Sequence, residues 1–64
     1  MLEYQKRVIE EEAELDAKLQ KLTTFLANFT PDVSRAEFDR LSRQRWHMVD
    51  YRTVLRERIA AFKQ

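Results

Sequence analysis

Two arginines interrupt an otherwise apolar ladder in the second half of this 64-residue chain. Reading i, i+3, i+7 from Phe38 gives Phe38, Leu41, Arg45, Met48, Arg52, Leu55, Ile59 and Phe62. A guanidinium withdrawn from water needs a compensating anion. Its planar fork suits a carboxylate or a phosphate. Arg45 and Arg52 therefore either close internal ion pairs or hold an anionic ligand. A second set shares one helical stripe: Tyr4, Arg7, Glu11, Glu14, Lys18, Lys21 and Phe25, then Gln44, His47, Tyr51, Val54 and Arg58. Cations interleaved with tyrosines suit an anionic aromatic ligand such as a nucleotide, whose phosphates they neutralise and whose base they stack. The competing reading is a solvated face carrying i,i+4 pairs such as Glu14–Lys18.

Catalysis has little to stand on. His47 has no nucleophile partner in the sequence, and Glu10–Glu11–Glu12 reads as a solvated acidic run near a helix start. With no cysteine and one histidine, neither a thiolate nor a multi-histidine metal site is expected, and no cofactor. Glycine is absent, so a Gly-rich phosphate loop is excluded. The expectation is a non-enzyme.

The elements that position these residues follow from periodicity. A sustained heptad ladder means helix packed on helix. Helix one carries Val8, Glu12, Leu15, Leu19, Leu22, Leu26 and Phe29. The break is Asn28-Phe29-Thr30-Pro31-Asp32, where proline cannot extend a helix running into it. Ser34-Arg35-Ala36-Glu37 then reads as a capping box, with Val33 and Phe38 at the staple positions. Thr30 before Pro31 is a competing start. The chain is expected to be one all-α domain, an antiparallel two-helix hairpin: helix one about 2–29, loop about 30–34, helix two about 35–63. Folding back at the loop pairs positions whose numbers sum to 67, from Phe29–Phe38 through Leu22–Arg45 and Leu15–Arg52 to Val8–Ile59. That register puts Glu12 within a turn of Arg52, so a Glu12–Arg52 ion pair is expected, whereas Arg45 has no carboxylate at its level.

Beside the seam lies a second flank: Leu2, Ile9, Ala13 and Ala27 with Trp46, Val49 and Ala60. This is too much apolar surface for so small a monomer. It is expected to join hairpins into a homo-oligomeric bundle, a dimer or tetramer, through Leu2, Ile9, Ala13, Trp46, Val49 and Ala60. The longest apolar run is short and no leader pattern opens the chain, so neither a membrane span nor export is expected, and the compartment is cytoplasm-like.

The residues also resemble a family. Tyr4 through Glu11, Leu15-Asp16, Lys18, Lys21-Leu22 and Phe25, with Leu41, Gln44, Met48, Tyr51, Leu55 and Arg58 through Phe62, look like a group of very small phage proteins named after a crAss-like phage protein. The likeness covers nearly the whole chain apart from the loop around 28–37. Helical-hairpin phage proteins of this general type include oligomeric sponges that bind the cyclic nucleotides of bacterial defence systems of the CBASS and Thoeris kind. The resemblance therefore implies a protein of the infected bacterial cytoplasm. It would sequester a cyclic di- or trinucleotide or a cyclic ADP-ribose-like signal without cleaving it. The matching polar positions are Arg7, Glu11, Lys18, Lys21, Gln44, Tyr51 and Arg58; Tyr4, Arg45 and Arg52 join them as ligand candidates from the wheel and the seam.

Two other readings use the same residues. An oligomeric adaptor for a host or phage protein would explain the hairpin and the apolar flank equally well. A nucleic-acid accessory protein is less favoured, because net charge is only +1, split as −2 over residues 1–30 and +3 over 31–64.

Overall fold

The computed structural model describes residues 1–28 and 31–62. Two helices account for nearly all of them, α1 (Glu3–Ala27) and α2 (Arg35–Ala61), folded into an antiparallel hairpin 48 Å long and 14 Å across. Each helix is shorter than expected by one or two residues at its ends, apart from the start of α2. The pairing of Phe29 with Phe38 lies outside the described residues.

Local chemistry explains the boundaries. At the start of α1 the Leu2 N–H donates to Gln5 Oε1 at 2.9 Å, which satisfies an amide that no earlier turn can serve. The helix closes at Asn28, whose backbone N–H reaches the Thr24 carbonyl at 3.1 Å and whose Nδ2 donates to the same oxygen at 2.9 Å. Ser34 wins the competition to start α2: its Oγ accepts the Glu37 N–H at 3.0 Å. The reciprocal half of the expected capping box is replaced, because the Glu37 carboxylate takes Arg40 Nε at 2.9 Å. The Glu14–Lys18 pair is also replaced: the ion pair within α1 is Glu3–Arg7, at 3.9 Å.

The register is the expected one to within a residue. Thr23–Arg45, Asp16–Arg52 and Glu12–Arg56 each sum to 68, and the edge-to-face pair Tyr4–Phe62 sums to 66, with ring centroids 5.7 Å apart. Every described seam position of both helices is buried or half-buried. The buried part is small: Val8, Leu15, Leu19 and Leu55, with Met48, Ile59 and Phe62 packed against the Val8, Leu15 and Leu55 cluster. Leu55, 1% exposed, is the most enclosed side chain. Among the described residues no helix is long and apolar enough to cross a membrane.

With so few buried side chains, each one carries a large share of the stability. Leu55→Ala removes three carbons from the tightest point of the seam and leaves a cavity. It should cost about 2–5 kcal/mol, enough to unfold much of so small a chain. Urea denaturation followed by circular dichroism measures it; a loss under ~1 kcal/mol would mean the core lies elsewhere.

Candidate functional site

The seam arginines resolve differently from one another. Arg52 Nη1 donates to Asp16 Oδ1 at 2.6 Å, across the two helices. The expected Glu12–Arg52 pair is therefore corrected. Asp16 lies a turn further along α1, on the flank toward which the Arg52 guanidinium extends, and Glu12 instead takes Arg56 Nε at 2.8 Å. Arg56 Nη2 also reaches Asp16 Oδ1, at 3.2 Å. Two carboxylates and two guanidinium groups thus form one network, with Gln20 Nε2 donating to the other Asp16 oxygen at 2.7 Å. The Arg52 hydrogen bond, above all, holds the Asp16 carboxyl below the ordinary carboxylate value, despite some desolvation.

Arg45 has no such partner. Its half-buried guanidinium donates through Nε to a neutral oxygen, Thr23 Oγ1, at 2.8 Å, and no carboxylate among the described residues lies within ion-pair distance. One seam arginine is therefore neutralised internally and the other is not. Between them lies a groove of about 260 Å³ lined by Leu19, Gln20, Thr23, Thr24, Arg45 and Arg52. Its walls offer hydroxyls, an amide and guanidinium N–H groups. Arg52 Nε, shielded from solvent, has no hydrogen-bond partner. Such a donor set can hold an oxyanion, which would accept from the guanidinium and from both threonines.

The remaining candidates lie on the two sides of the seam. On the polar side Tyr4, Arg7, Glu11, Lys18, Lys21, Gln44, Tyr51 and Arg58 are all exposed and share one stripe. They form an open surface: Tyr4 is held edge-on to Phe62, Arg7 leans to Glu3, and the Gln44 amide lies 3.9 Å from Met48 Sδ. His47 shares this exposed stripe. The other side carries the ion-pair network, the groove and the apolar residues. There Trp46 is 65% exposed and Leu2, Ile9, Ala13 and Ala60 are exposed, while Val49 is half-buried.

A family model described as Sequestin matches residues 2–61. The chain belongs to the Sequestin family. No curated protein and no solved structure matches it. The expectation of a small-protein family spanning almost the whole chain holds, and the Sequestin match takes in both sides of the hairpin and the residues that line the groove.

Sequence reasoning missed Asp16, Arg56, Thr23, Gln20 and Thr24. The signal was present. Extending the seam register by one position on α1 places Asp16 beside Arg52 and Thr23 beside Arg45, and by one position on α2 places Arg56 beside Glu12.

The Asp16 shift gives a signed prediction. A carboxyl whose folded pKa is lowered contributes stability that is present above its ordinary value of 3.8 and is lost as pH falls through the lower folded value. Thermal melts of the wild type should therefore lose stability on acidification from pH 5 toward pH 2. In Asp16→Asn that acid loss should be measurably smaller. Parallel melting curves for the two chains across this range would refute the pairing.

Proposed function

We propose that this protein binds and sequesters an anionic nucleotide signal, of the cyclic di- or trinucleotide or cyclic ADP-ribose class, and releases it unchanged. The setting of that proposal is a phage protein acting in the cytoplasm of an infected bacterium. The family name speaks of sequestration, and the sequence resemblance points to phage sponges. The observation that carries the chemistry is Arg45: a half-buried cation, bonded only to a hydroxyl, beside a groove lined with donors.

The argument from charge is direct. Glu12 and Asp16 are balanced by Arg52 and Arg56, so this network has no net demand for an ion. Arg45 leaves one positive charge uncompensated where desolvation makes it costly. A phosphodiester oxygen placed there accepts charge-assisted hydrogen bonds from the guanidinium and neutral ones from Thr23 and Thr24. Exposed aromatic rings near either side supply stacking surface for a base, with Trp46 on the groove's side and Tyr51 on the other. Nothing in this scheme moves a proton or attacks phosphorus. Binding itself is the output, so the effect is stoichiometric and rests on affinity.

Native mass spectrometry of the protein with cyclic dinucleotides, cyclic trinucleotides and cyclic ADP-ribose isomers tests the proposal. The expected result is an integral number of ligands bound, each recovered at its original mass. Arg45→Ala should weaken that binding roughly 10- to 100-fold, the value of a lost charge-assisted hydrogen bond, while helicity is unchanged. Arg7→Ala and Tyr51→Ala report on the polar side. If binding is lost there and Arg45→Ala binds normally, the site belongs on the Arg7/Tyr51 stripe. If no member of the panel binds at micromolar concentration, sequestration of this class is refuted and the adaptor reading takes its place.

A further inference from the structure

We infer that Arg52 is a second anion-binding arginine of the groove: an anion with two or more negative charges draws it away from Asp16, and Arg56 takes over the Asp16 carboxylate. The exchange rests on the reading of the Arg45 groove as the place of binding, and it names the ligand charge which that groove selects.

The first observation is a donor without an acceptor. Arg52 lines the groove, and its Nε is shielded from solvent with no hydrogen-bond partner among the described residues. A guanidinium N–H left unpaired off water is costly, so the bond from Nη1 to Asp16 serves Arg52 incompletely. Turning the guanidinium toward the groove offers that donor to an acceptor there. Arg45 stands a heptad away on the same helix, about 10 Å along its axis, and lines the same groove. The two stems bracket one space, and two guanidinium forks facing it match a pair of phosphate charges. Arg45 alone answers one of them.

The second observation is that Asp16 already has a replacement partner. Its Oδ1 accepts from Arg52 Nη1 at 2.6 Å and from Arg56 Nη2 at 3.2 Å, while Gln20 donates to Oδ2 at 2.7 Å. Arg56 is exposed, so it can close on Asp16 without entering the seam. Departure of Arg52 leaves the carboxylate with two donors. That separates an exchangeable pair from one whose breaking strands a charge. The helices stay tied as well, because Arg56 of α2 still bridges to Glu12 and Asp16 of α1. What the exchange loses is one cation, since Arg56 alone then faces two carboxylates. Asp16 is therefore a brake on anion affinity. A singly charged ligand is served by Arg45 and leaves the pair intact, whereas a second phosphate competes with Asp16 for Arg52. The cyclic dinucleotide and cyclic ADP-ribose classes carry that second charge.

Inorganic pyrophosphate is the probe, followed by calorimetry and by the arginine Nε–H signals in nitrogen-15 NMR spectra. Titration of the wild type to 10 mM should shift the Arg45, Arg52 and Arg56 signals along one saturation curve and leave Arg58, on the polar side, in place. Asp16→Asn should bind pyrophosphate about 10-fold more tightly, the value of a charge-assisted hydrogen bond that no longer competes. In an Arg52→Gln background the same change should gain less than about 2-fold, because the competition is already gone. Arg56→Gln removes the replacement partner and should bind roughly 3-fold more weakly than the wild type. Circular dichroism checks the helicity of each variant. An unmoved Arg52 signal at 10 mM overturns the inference whether or not the variants fold. Equal shifts at Arg52 and Arg58 also overturn it, as the mark of an adventitious ion only. So does an Asp16→Asn gain that persists in full without Arg52, since deleting any nearby negative charge would produce that. A shifted Arg52 with no nucleotide bound refutes sequestration alone, and a bound nucleotide with an unmoved Arg52 refutes the exchange alone.

Discussion

The hairpin depends on what happens to a guanidinium in a helical seam. Arg52 occupies a position that the heptad reserves for an apolar side chain, and its half-buried charge is only partly served by water. Asp16 meets it from the opposite helix. The pair fixes the relative height of α1 and α2 at mid-hairpin, where aliphatic packing alone would tolerate a slip of one turn. Gln20 orients the Asp16 carboxylate from its own helix, and Arg56 ties the same carboxylate to Glu12. A leucine ladder says that two helices pack. The half-buried charge says at which register, which is the best-attested use of such polar interruptions.

The same requirement makes the molecule two-sided. Long arginine side chains cannot end inside a two-helix seam, so their heads lean to one flank, and the partners that answer them are drawn to that flank. The described ion pairs and hydrogen bonds between side chains of the two helices all lie there. The other flank is left to groups that have no cross-helix task, and these are free to be a cationic, tyrosine-bearing stripe. The difference between the sides is therefore a consequence of the seam and not a separate feature.

This is also why the fold was more legible than the site. Helix type, the single turn, the Ser34 start and the antiparallel register are all set by short-range periodicity and by one proline, which a sequence displays openly. The partners of the arginines depend on where a six-bond side chain ends and to which flank it leans. On a ladder drawn between Cα positions Leu15 stands level with Arg52, with Glu12 and Asp16 both within a turn of it, and Asp16 is where the guanidinium arrives. Thr23 was legible only through the register. A threonine near the end of a helix is unremarkable until an arginine from the opposite helix reaches it. The groove is the product of these offsets, since two arginines leaning the same way leave a space between their stems.

Arg45 gives the asymmetry its meaning. A chain selected for stability alone would place an aliphatic residue at that seam position, or a carboxylate opposite, as it does for Arg52. Keeping a half-buried guanidinium against a lone hydroxyl holds the folded state below the stability that the same backbone could reach. Any group that binds there and supplies negative charge recovers the difference, and by linkage it stabilises the folded form in proportion to its affinity. In a chain with so little core, folding and the binding of an anion at Arg45 would then draw on one free-energy term. A sequestering protein built this way would direct the energy of folding into its grip.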